Sequence, residues 1–274
     1  MSKYAFVFCM FLGDSYLPGV MVVAYSIFKT KTVNDVVCMV TPDVSDVAIG
    51  KMKRLGIKVV KIKYLQSNSY LDERPKIKKR WPDIELYCSK FTCLSLVQYK
   101  KVFLLDIDML VQHNIDHIFN ISTPAGRISL KISDYYTIPV AKDGTDLKQD
   151  ISDIMLSNGV GSLDGGCLLL EPSMQMFEDY KTYITTFDPR KFDTAMGDDE
   201  LSIFSFYAKK NISWKYLNLY WSCAFWKYQG MCSLKTSLIL NFIGTEKPWK
   251  KDLSKYEDSK PWYDMYNEMN NTIN

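Results

Sequence analysis

Histidine is the scarcest chemically useful residue in this sequence. Only two occur among 274 residues, His113 and His117. So few imidazoles leave little scope for a histidine-rich metal centre. Both follow a pair of aspartates and could complete a four-ligand site with them. The segment 114–119, however, mixes apolar and polar residues in the manner of a short amphipathic turn. We therefore predict that the two histidines are surface residues.

Long apolar runs and a large excess of one charge are also missing. A membrane-spanning helix needs about 20 apolar residues, and no run approaches that length. The apolar stretch 4–12 has the length of the apolar region of a signal peptide. It lacks a basic start beyond Lys3 and a small-residue cleavage site. With 34 basic and 31 acidic residues, the net charge of +3 is too balanced to indicate nucleic-acid binding. We expect no membrane span and no nucleic-acid partner.

The seven cysteines show no C-x-x-C pair. An odd number without a disulfide framework predicts reduced thiols in a reducing compartment, and hence a cytoplasmic location. Four of them lie in apolar runs that predict burial in the core: Cys9, Cys38, Cys93 and Cys167.

Apolar runs alternate with amphipathic segments through the first two fifths of the chain. This alternation predicts an α/β fold with a mainly parallel central sheet, helices on both faces and ligands at the carboxyl ends of the strands. Early strands are predicted over 4–10, 36–41, 58–65 and 101–106, and helices over 19–30, 44–55 and 89–100.

The rest of the chain is less regular. The polar stretches 72–83 and 141–158 are predicted to be surface loops. The domain is expected to span 1–250, with 251–274 as a peripheral C-terminal helix or tail. Later strands are predicted over 127–132, 166–170, 214–219 and 238–243, and helices over 172–187 and 197–210.

The most informative segment is V-F-L-L-D-I-D at the end of the fourth predicted strand. Four apolar residues place this strand inside the sheet, and Asp106 and Asp108 follow at its carboxyl end. If the strand continued through them, both carboxylates would face the same side. Two adjacent anions repel each other unless a positive group lies between them. A hard divalent ion such as Mn²⁺ or Mg²⁺, together with a diphosphate, would satisfy this requirement.

The acidic pair alone leaves three interpretations open. It can bind a metal and a diphosphate, it can contain the nucleophile of a haloacid-dehalogenase-type phosphatase, or it can be a turn without chemistry. The phosphatase would carry its pair on the first strand, followed by Thr or Val and then Gly. Here about 100 residues precede the pair and Met109-Leu110 follow it, which argues against the phosphatase.

Five ordered blocks extend this motif into a recognisable pattern. Together they resemble the glycogenin-like enzymes of glycosyltransferase family 8, over residue 4 to about residue 250. The blocks are K-F-T-C-L-S-L-V-Q-Y-K-K-V-F-L-L-D-I-D-M-L-V from Lys90, L-G-D-S-Y-L-P-G from Leu12, V-T-P-D-V-S-D from Val40, D-G-G with E-P-S from Asp164, and N-F-I-G-T-E-K-P-W from Asn241.

The resemblance implies a retaining transferase with a Rossmann-like single domain of the GT-A type. It would move a hexose, glucose or galactose, from a UDP-sugar to a hydroxyl acceptor, with Mn²⁺ or Mg²⁺ as cofactor. The acceptor could be a protein, a glycan or a polyol, and relatives of this kind often form homodimers. By position, the metal ligands would be Asp106, Asp108 and Asn241. The nucleotide and donor contacts would be Leu12, Tyr16, Arg80, Lys90, Asp106, Ile107, Gly244 and Lys247, and the residues at the transferred sugar would be Asp199, Lys90 and Asp164.

Three positions depart from the family pattern. Asn241 stands where the closing motif has a His ligand, which predicts a weaker or less Mn²⁺-selective site. Glu200 falls where the family usually has Gln, and Asp164 replaces Asn. Asp199 can equally serve as a helix start, because acids favour the first turn. These departures motivate an alternative function: a catalytically weak UDP-sugar-binding protein with an altered metal site.

Overall fold

The computed structural model describes residues 2–130, 142–147, 161–192, 197–224, 233–244 and 246–273. The strands are β1 (Tyr4–Met10), β2 (Asp35–Val40), β3 (Lys58–Lys61), β4 (Lys101–Leu105), β5 (Met109–Val111), β6 (Ala125–Leu130), β7 (Gly161–Leu170), β8 (Lys215–Leu217) and β9 (Ile239–Asn241). The α-helices are α1 (Leu17–Lys29), α2 (Asp46–Arg54), α3 (Pro75–Arg80), α4 (Met174–Thr186), α5 (Asp198–Lys209) and α6 (Lys260–Ile273).

Seven strands form the main sheet in the order β3-β2-β1-β4-β7-β6-β8. Strand β2 pairs in parallel with both β1 and β3, and β6 pairs in parallel with β8 but antiparallel with β7. A separate two-stranded antiparallel ribbon joins β5 to β9. The predicted α/β fold with a mainly parallel central sheet is therefore confirmed.

Two of the predicted elements differ from the structure. The segment predicted as a helix over 89–100 is instead a 3₁₀ helix, Ile84–Ser95. Every residue of 88–94 is buried, so the segment runs through the core and does not lay a single apolar face on it. The polar stretch 72–83, predicted as a loop, contains α3, and most of 141–158 lies outside the described residues.

The chain divides into two compact units, of which the first comprises Met1–Ile62, Phe103–Asn120 and Leu219–Asn274. Strand β1 is buried at every residue from Ala5 to Met10, as expected of a strand covered on both faces. Helix α1 begins with Pro18 in its first turn, where the missing N–H costs nothing. This unit contains the first three strands of the main sheet and the β5–β9 ribbon.

The second unit comprises Lys63–Val102 and Ile121–Asn218. Aromatic contacts pack α4 against α5 in this unit: the ring centroids of Tyr180 lie 5.3 Å from those of both Phe91 and Phe206, edge to face. This packing fixes the position of α5, and the first turn of α5 carries a run of acidic residues.

The cysteines are mostly, but not entirely, as predicted. The four cysteines expected in the core are buried and form no disulfide bond, and the same holds for Cys88. Cys223, in contrast, is disulfide-bonded, so the expectation of reduced thiols is wrong for this residue. Sequence spacing does not reveal which cysteines meet in space. The argument from cysteine for a reducing compartment therefore does not hold for the whole set.

No described helix has the length and apolarity that crossing a membrane requires. Helix α6 lies within the segment 251–274, and the division of the chain at residue 250 stays a prediction.

Gly19 lets α1 approach the backbone that follows β4. A Cβ atom at this position would lie 2.7 Å from the carbonyl oxygen of Ile107 and 2.8 Å from the indole of Trp249. Neither a backbone carbonyl nor an indole packed between Tyr16 and Trp262 can move away easily. Gly50 in α2 provides a contrast, because its nearest neighbour would be Arg54 Nη1 at 3.6 Å.

We expect Gly19→Ala to destabilise the protein by about 1–3 kcal/mol through overpacking. The control Gly50→Ala should be neutral or stabilising, by up to about 1 kcal/mol, since alanine favours a helix interior. Urea denaturation of both variants measures the difference. A shift of equal sign and size in the two variants would contradict the close contact at Gly19.

Candidate functional site

Asp106 and Asp108 lie in the tight turn between β4 and β5, in the first unit. Strand β4 ends at Leu105, so the condition for both carboxylates to share one face, a strand continuing through them, is not met. The turn forms because the chain changes partners: Met109 pairs with Asn241 of β9. Both acids are partly buried, and we call this segment the D-x-D turn.

Lys247 supplies counter-charge to Asp108. Its ammonium donates to Asp108 Oδ2 in a short contact and to the carbonyl of Phe242 at 3.0 Å. A buried ammonium requires such partners, and Lys247 is 8% exposed. The N–H of Phe242 donates to the carbonyl of Asp108 at 2.8 Å, so the backbone also ties β9 to the turn. The fold thus brings together Asp108 and Lys247.

Asn241, the predicted third metal ligand, has a buried side chain of which only the amide nitrogen is hydrogen-bonded to a described residue. Its Nδ2 donates to Ser222 Oγ at 3.0 Å, while its Oδ1 has no hydrogen-bond partner among the described residues. A buried carbonyl oxygen without a partner is costly. Such an atom marks a place that suits a cation or a hydrogen-bond donor.

The predicted metal ligands are two carboxylates and an amide. Over the described ranges, no group of three or more His, Cys, Asp or Glu side chains is placed to hold a metal ion. His113 and His117 are both exposed, as predicted. His117 packs against the ring of Trp221 at 5.1 Å between centroids.

The loop after β1 contains two successive residues with left-handed backbone, Leu12 (φ 60°) and Gly13 (φ 74°). A left-handed residue other than glycine costs free energy and often occurs at a binding site. The N–H of Gly13 donates to Asp43 Oδ2 at 2.6 Å, which ties the loop to the segment that follows β2. Leu12 therefore lies in a fixed and unusual conformation.

The remaining predicted nucleotide contacts of the first unit lie in two places. Tyr16 packs edge-on against Trp249, 5.7 Å between centroids, and Lys250 Nζ lies 4.0 Å from the Tyr16 ring centre. Gly244 has a φ of 105°, and a Cβ atom there would have no neighbour within 4 Å among the described residues. These residues therefore leave room beside the Gly244 backbone that a ligand could enter. The carbonyl oxygen of Ile107 lies against Gly19, as described above.

In the second unit, Lys90 and Asp199 form a buried ion pair. Lys90 Nζ lies 2.7 Å from Asp199 Oδ2, and the two side chains are 9% and 6% exposed. A Cβ atom at Gly165 would lie 3.0 Å from Asp199 Oδ2 and 3.1 Å from Lys90 Nζ. Only glycine permits β7 to approach the pair this closely. Two residues predicted to act at the sugar are therefore in direct contact.

Asp164, also predicted to act at the sugar, is engaged by protein groups on both carboxylate oxygens. Its Oδ2 accepts from Arg127 Nε at 2.9 Å and from Arg127 Nη2 at 2.6 Å. Its Oδ1 accepts from the N–H of Gly166 at 3.1 Å. Both side chains are buried, and charge-assisted bonds of this kind hold them rigidly.

Sequence reasoning missed Asp198, which neighbours the predicted Asp199. It is completely buried; its Oδ2 accepts from Arg74 Nη1 at 2.9 Å, and its Oδ1 has no partner among the described residues. The signal that could have found it is the three successive acids of the helix start, 198–200.

Arg80, a predicted donor contact, is exposed and stacks on Trp81 with its guanidinium carbon 4.2 Å from the ring centre.

A cavity of about 450 Å³ lies in the first unit, and no predicted site residue lines it. Its walls come from α1, the end of β5 and α6. It is lined by Ser26, Lys29, Thr30, Leu110, Val111, Gln112, His113, Asn114, Pro261 and Met265.

Glu200 is a half-buried carboxyl group that has no ion-pair partner among the described residues. It accepts from the N–H groups of Gly165 and Gly197, each at 3.3 Å. Loss of water, followed by the negative charges of Asp199 and Asp164, raises the pKa of Glu200 from 4.5 to about 8. Lys90 and the Gly165 N–H oppose the shift but do not reverse it. The folded protein therefore holds a proton that an unfolded carboxyl releases.

Because the pKa is raised on folding, the free energy of unfolding should fall as pH rises from about 4.5 to about 8. Glu200→Gln removes this titration and should flatten the pH dependence. Urea denaturation across this range measures both slopes. Glu178→Gln, at a side chain that is 53% exposed, serves as the control and should keep the wild-type slope. An unchanged slope in Glu200→Gln would contradict the assignment.

Comparison with known proteins identifies the family. Residues 8–252 match the model of the family described as Glycosyl transferase family 8. An uncharacterized protein of Acanthamoeba polyphaga mimivirus is 30% identical over 284 residues, covering 97% of this chain and 90% of that protein. Human glycogenin-1 is 30% identical over 120 residues, which cover 44% of this chain and 33% of glycogenin-1.

Solved structures show the same fold. An active-site mutant of LgtC superposes with a TM-score of 0.58 at 14% identity, covering 98% of this chain and 95% of that one. The apo form of the glycosyltransferase GlyE of Streptococcus pneumoniae gives a TM-score of 0.60 at 15% identity, over 99% of this chain and 63% of GlyE. With the family match over nearly its whole length, the chain belongs to glycosyltransferase family 8.

Proposed function

We propose that this transferase moves a hexose from a UDP-sugar to a hydroxyl acceptor, with retention at the transferred carbon and with a divalent cation at the D-x-D turn. The observation that carries the proposal is the unpartnered oxygen of Asn241, buried on the strand paired with the segment after Asp108. Two carboxylates and an amide oxygen form a hard donor set, which suits Mn²⁺ or Mg²⁺.

The proposed ligands of the cation are Asp106, Asp108 and the Oδ1 of Asn241. When bound, the cation would supply neutralisation of negative charge on the departing diphosphate. Lys247 is already fixed by Asp108 and the Phe242 carbonyl, and we propose that its ammonium adds positive charge at the same diphosphate.

The other contacts of the first unit suit the nucleotide. The open space at Gly244 would let a diphosphate approach the backbone. We propose that Leu12 and Tyr16 line the base site and that Ile107 contacts the nucleotide through its backbone. The fixed left-handed conformation of Leu12 supports a binding role for the loop, because such backbone persists where the surroundings enforce it.

The second unit offers carboxylates that suit sugar hydroxyls. We propose Lys90 and Asp199 as contacts of the transferred sugar, and we add Asp198, whose unpartnered Oδ1 can accept a hydroxyl hydrogen bond. Asp164 is bonded on both oxygens, so we propose that it positions Arg127. Arg80 remains a proposed donor contact by family resemblance alone.

The name of one neighbour bears on the donor sugar. A second LgtC structure is that of a galactosyltransferase with donor and acceptor sugar analogues, and it resembles this chain with a TM-score of 0.58. At 13% identity the likeness concerns the fold. Glucose and galactose are therefore both proposed donors, the acceptor is left open, and the homodimer and the cytoplasmic location stay predictions.

The direct test of the proposal is a panel of UDP-sugars with Mn²⁺ or Mg²⁺, scored by UDP release with and without added alcohol acceptors. We expect release with UDP-glucose or UDP-galactose and a loss of activity with a chelator. Cation-dependent UDP binding without release from any donor would instead support a catalytically weak UDP-sugar-binding protein.

Asp108→Asn should lower UDP release by about 100-fold or more, because it removes one charged group at the diphosphate while keeping the side-chain shape. The matched control is Asp46→Asn, whose carboxylate is 92% exposed and lies 3.6 Å from a surface lysine. Such a surface pair contributes little, so the control should retain wild-type release. Equal activity in the two variants would refute the role of Asp108.

A further inference from the structure

Ser222 is placed next to Asn241 by backbone pairing. The N–H of Asn241 donates to the carbonyl of Cys223 at 2.8 Å, and the N–H of Cys223 donates to the carbonyl of Ile239 at 2.9 Å. On the other side, the buried Trp221 packs edge-on against Phe103 of β4 at 5.8 Å between centroids. Ser222 therefore has little freedom to move away from Asn241, and it is itself only 1% exposed.

In the structure, the contact between the two side chains engages the nitrogen end of the amide. Asn241 Nδ2 can only donate and Oδ1 can only accept. With Ser222 Oγ accepting from Nδ2 at 3.0 Å, the donor end is occupied and the acceptor end is left without a partner among the described residues. The opposite rotamer would place two N–H donors where the oxygen now lies, and N–H groups repel a cation.

We propose that Ser222 is a positioning residue that holds the Asn241 amide with its oxygen available to the cation. The inference rests on the proposed function, since it concerns the same cation site. An asparagine amide needs this orientation because only its oxygen end can ligate a cation. This orientation also gives the site oxygen donors only, which favours Mg²⁺ and Mn²⁺ over metals that prefer nitrogen, such as Zn²⁺ and Ni²⁺.

The role of Ser222 depends on the asymmetry of the amide, and this dependence provides the test. In Asn241→Asp both ends of the side chain are oxygens, so its orientation no longer matters. We therefore expect Ser222→Ala to weaken Mn²⁺ binding about tenfold in the wild-type background, as loss of an outer-shell partner typically does. The same substitution in the Asn241→Asp background should change Mn²⁺ affinity less than about twofold.

The measurement is the Mn²⁺ dissociation constant of the full-length chain in the presence of UDP, from the electron paramagnetic resonance signal of free Mn²⁺. A loss of equal size in both backgrounds would show that Ser222 merely supports packing and would overturn the inference. An unchanged affinity in Ser222→Ala would overturn it as well.

A second pair of variants covers a failure of Ser222→Ala to fold. Threonine and valine side chains have the same shape, but Ser222→Thr keeps the hydroxyl and Ser222→Val removes it. We expect the threonine variant to bind Mn²⁺ about tenfold more tightly than the valine variant, and equal affinities would contradict the inference. Absence of Mn²⁺ binding in the wild type would overturn the proposed function and this inference together. If the wild type binds Mn²⁺ but Ser222→Ala has the same effect in the wild-type and Asn241→Asp backgrounds, only the inference is overturned.

Discussion

The need for positive charge at the D-x-D turn is the constraint on which the account depends. Two carboxylates one residue apart, at the end of a buried strand, require compensation. The protein supplies part of it, because the buried ammonium of Lys247 bonds to Asp108. The Oδ1 of Asn241 has no hydrogen-bond partner among the described residues, and we propose that a divalent cation at this atom supplies the rest. The β5–β9 pairing, the glycine in α1 and the contact from Ser222 all serve to hold these atoms.

The second unit handles buried acids in a different way. Three of its buried acids have a cation each, in the pairs Arg127–Asp164, Arg74–Asp198 and Lys90–Asp199. Buried ion pairs add little net stability, yet breaking one is expensive, so such pairs fix geometry. Glu200 has no ion-pair partner among the described residues, and loss of water, followed by the negative charges of Asp199 and Asp164, raises its pKa to about 8.

Much of the fold follows from the sequence because apolar patterning and strand burial coincide. Strand β1 has the predicted bounds, since its apolar run is continuous and begins after the polar Ser2 and Lys3. The 3₁₀ helix Ile84–Ser95 could not be predicted, because it buries the polar Ser89, Lys90 and Thr92 together with its apolar residues, and periodicity does not distinguish such a segment from an α-helix. The disulfide at Cys223 was likewise invisible, since it depends on a spatial neighbour.

Residues of the candidate site could be predicted where they belong to a sequence motif. They could not be predicted where the site depends on contacts between residues that are far apart in sequence. The D-x-D pair, Lys247 and Lys90 follow from motif order. The ion pair between Lys90 and Asp199 does not, because the two residues are far apart in sequence and meet only when α5 is packed. Asp198 was overlooked for the same reason: its burial and its partner Arg74 depend on tertiary structure.

The most direct test of the central claim is calorimetric titration of UDP into the protein with Mn²⁺ and with a chelator. If the D-x-D turn needs a divalent cation to hold a diphosphate, UDP should bind with Mn²⁺ and bind much more weakly once the metal is chelated. Equal UDP affinity under the two conditions would contradict the account, because the acids would then be compensated by the protein alone.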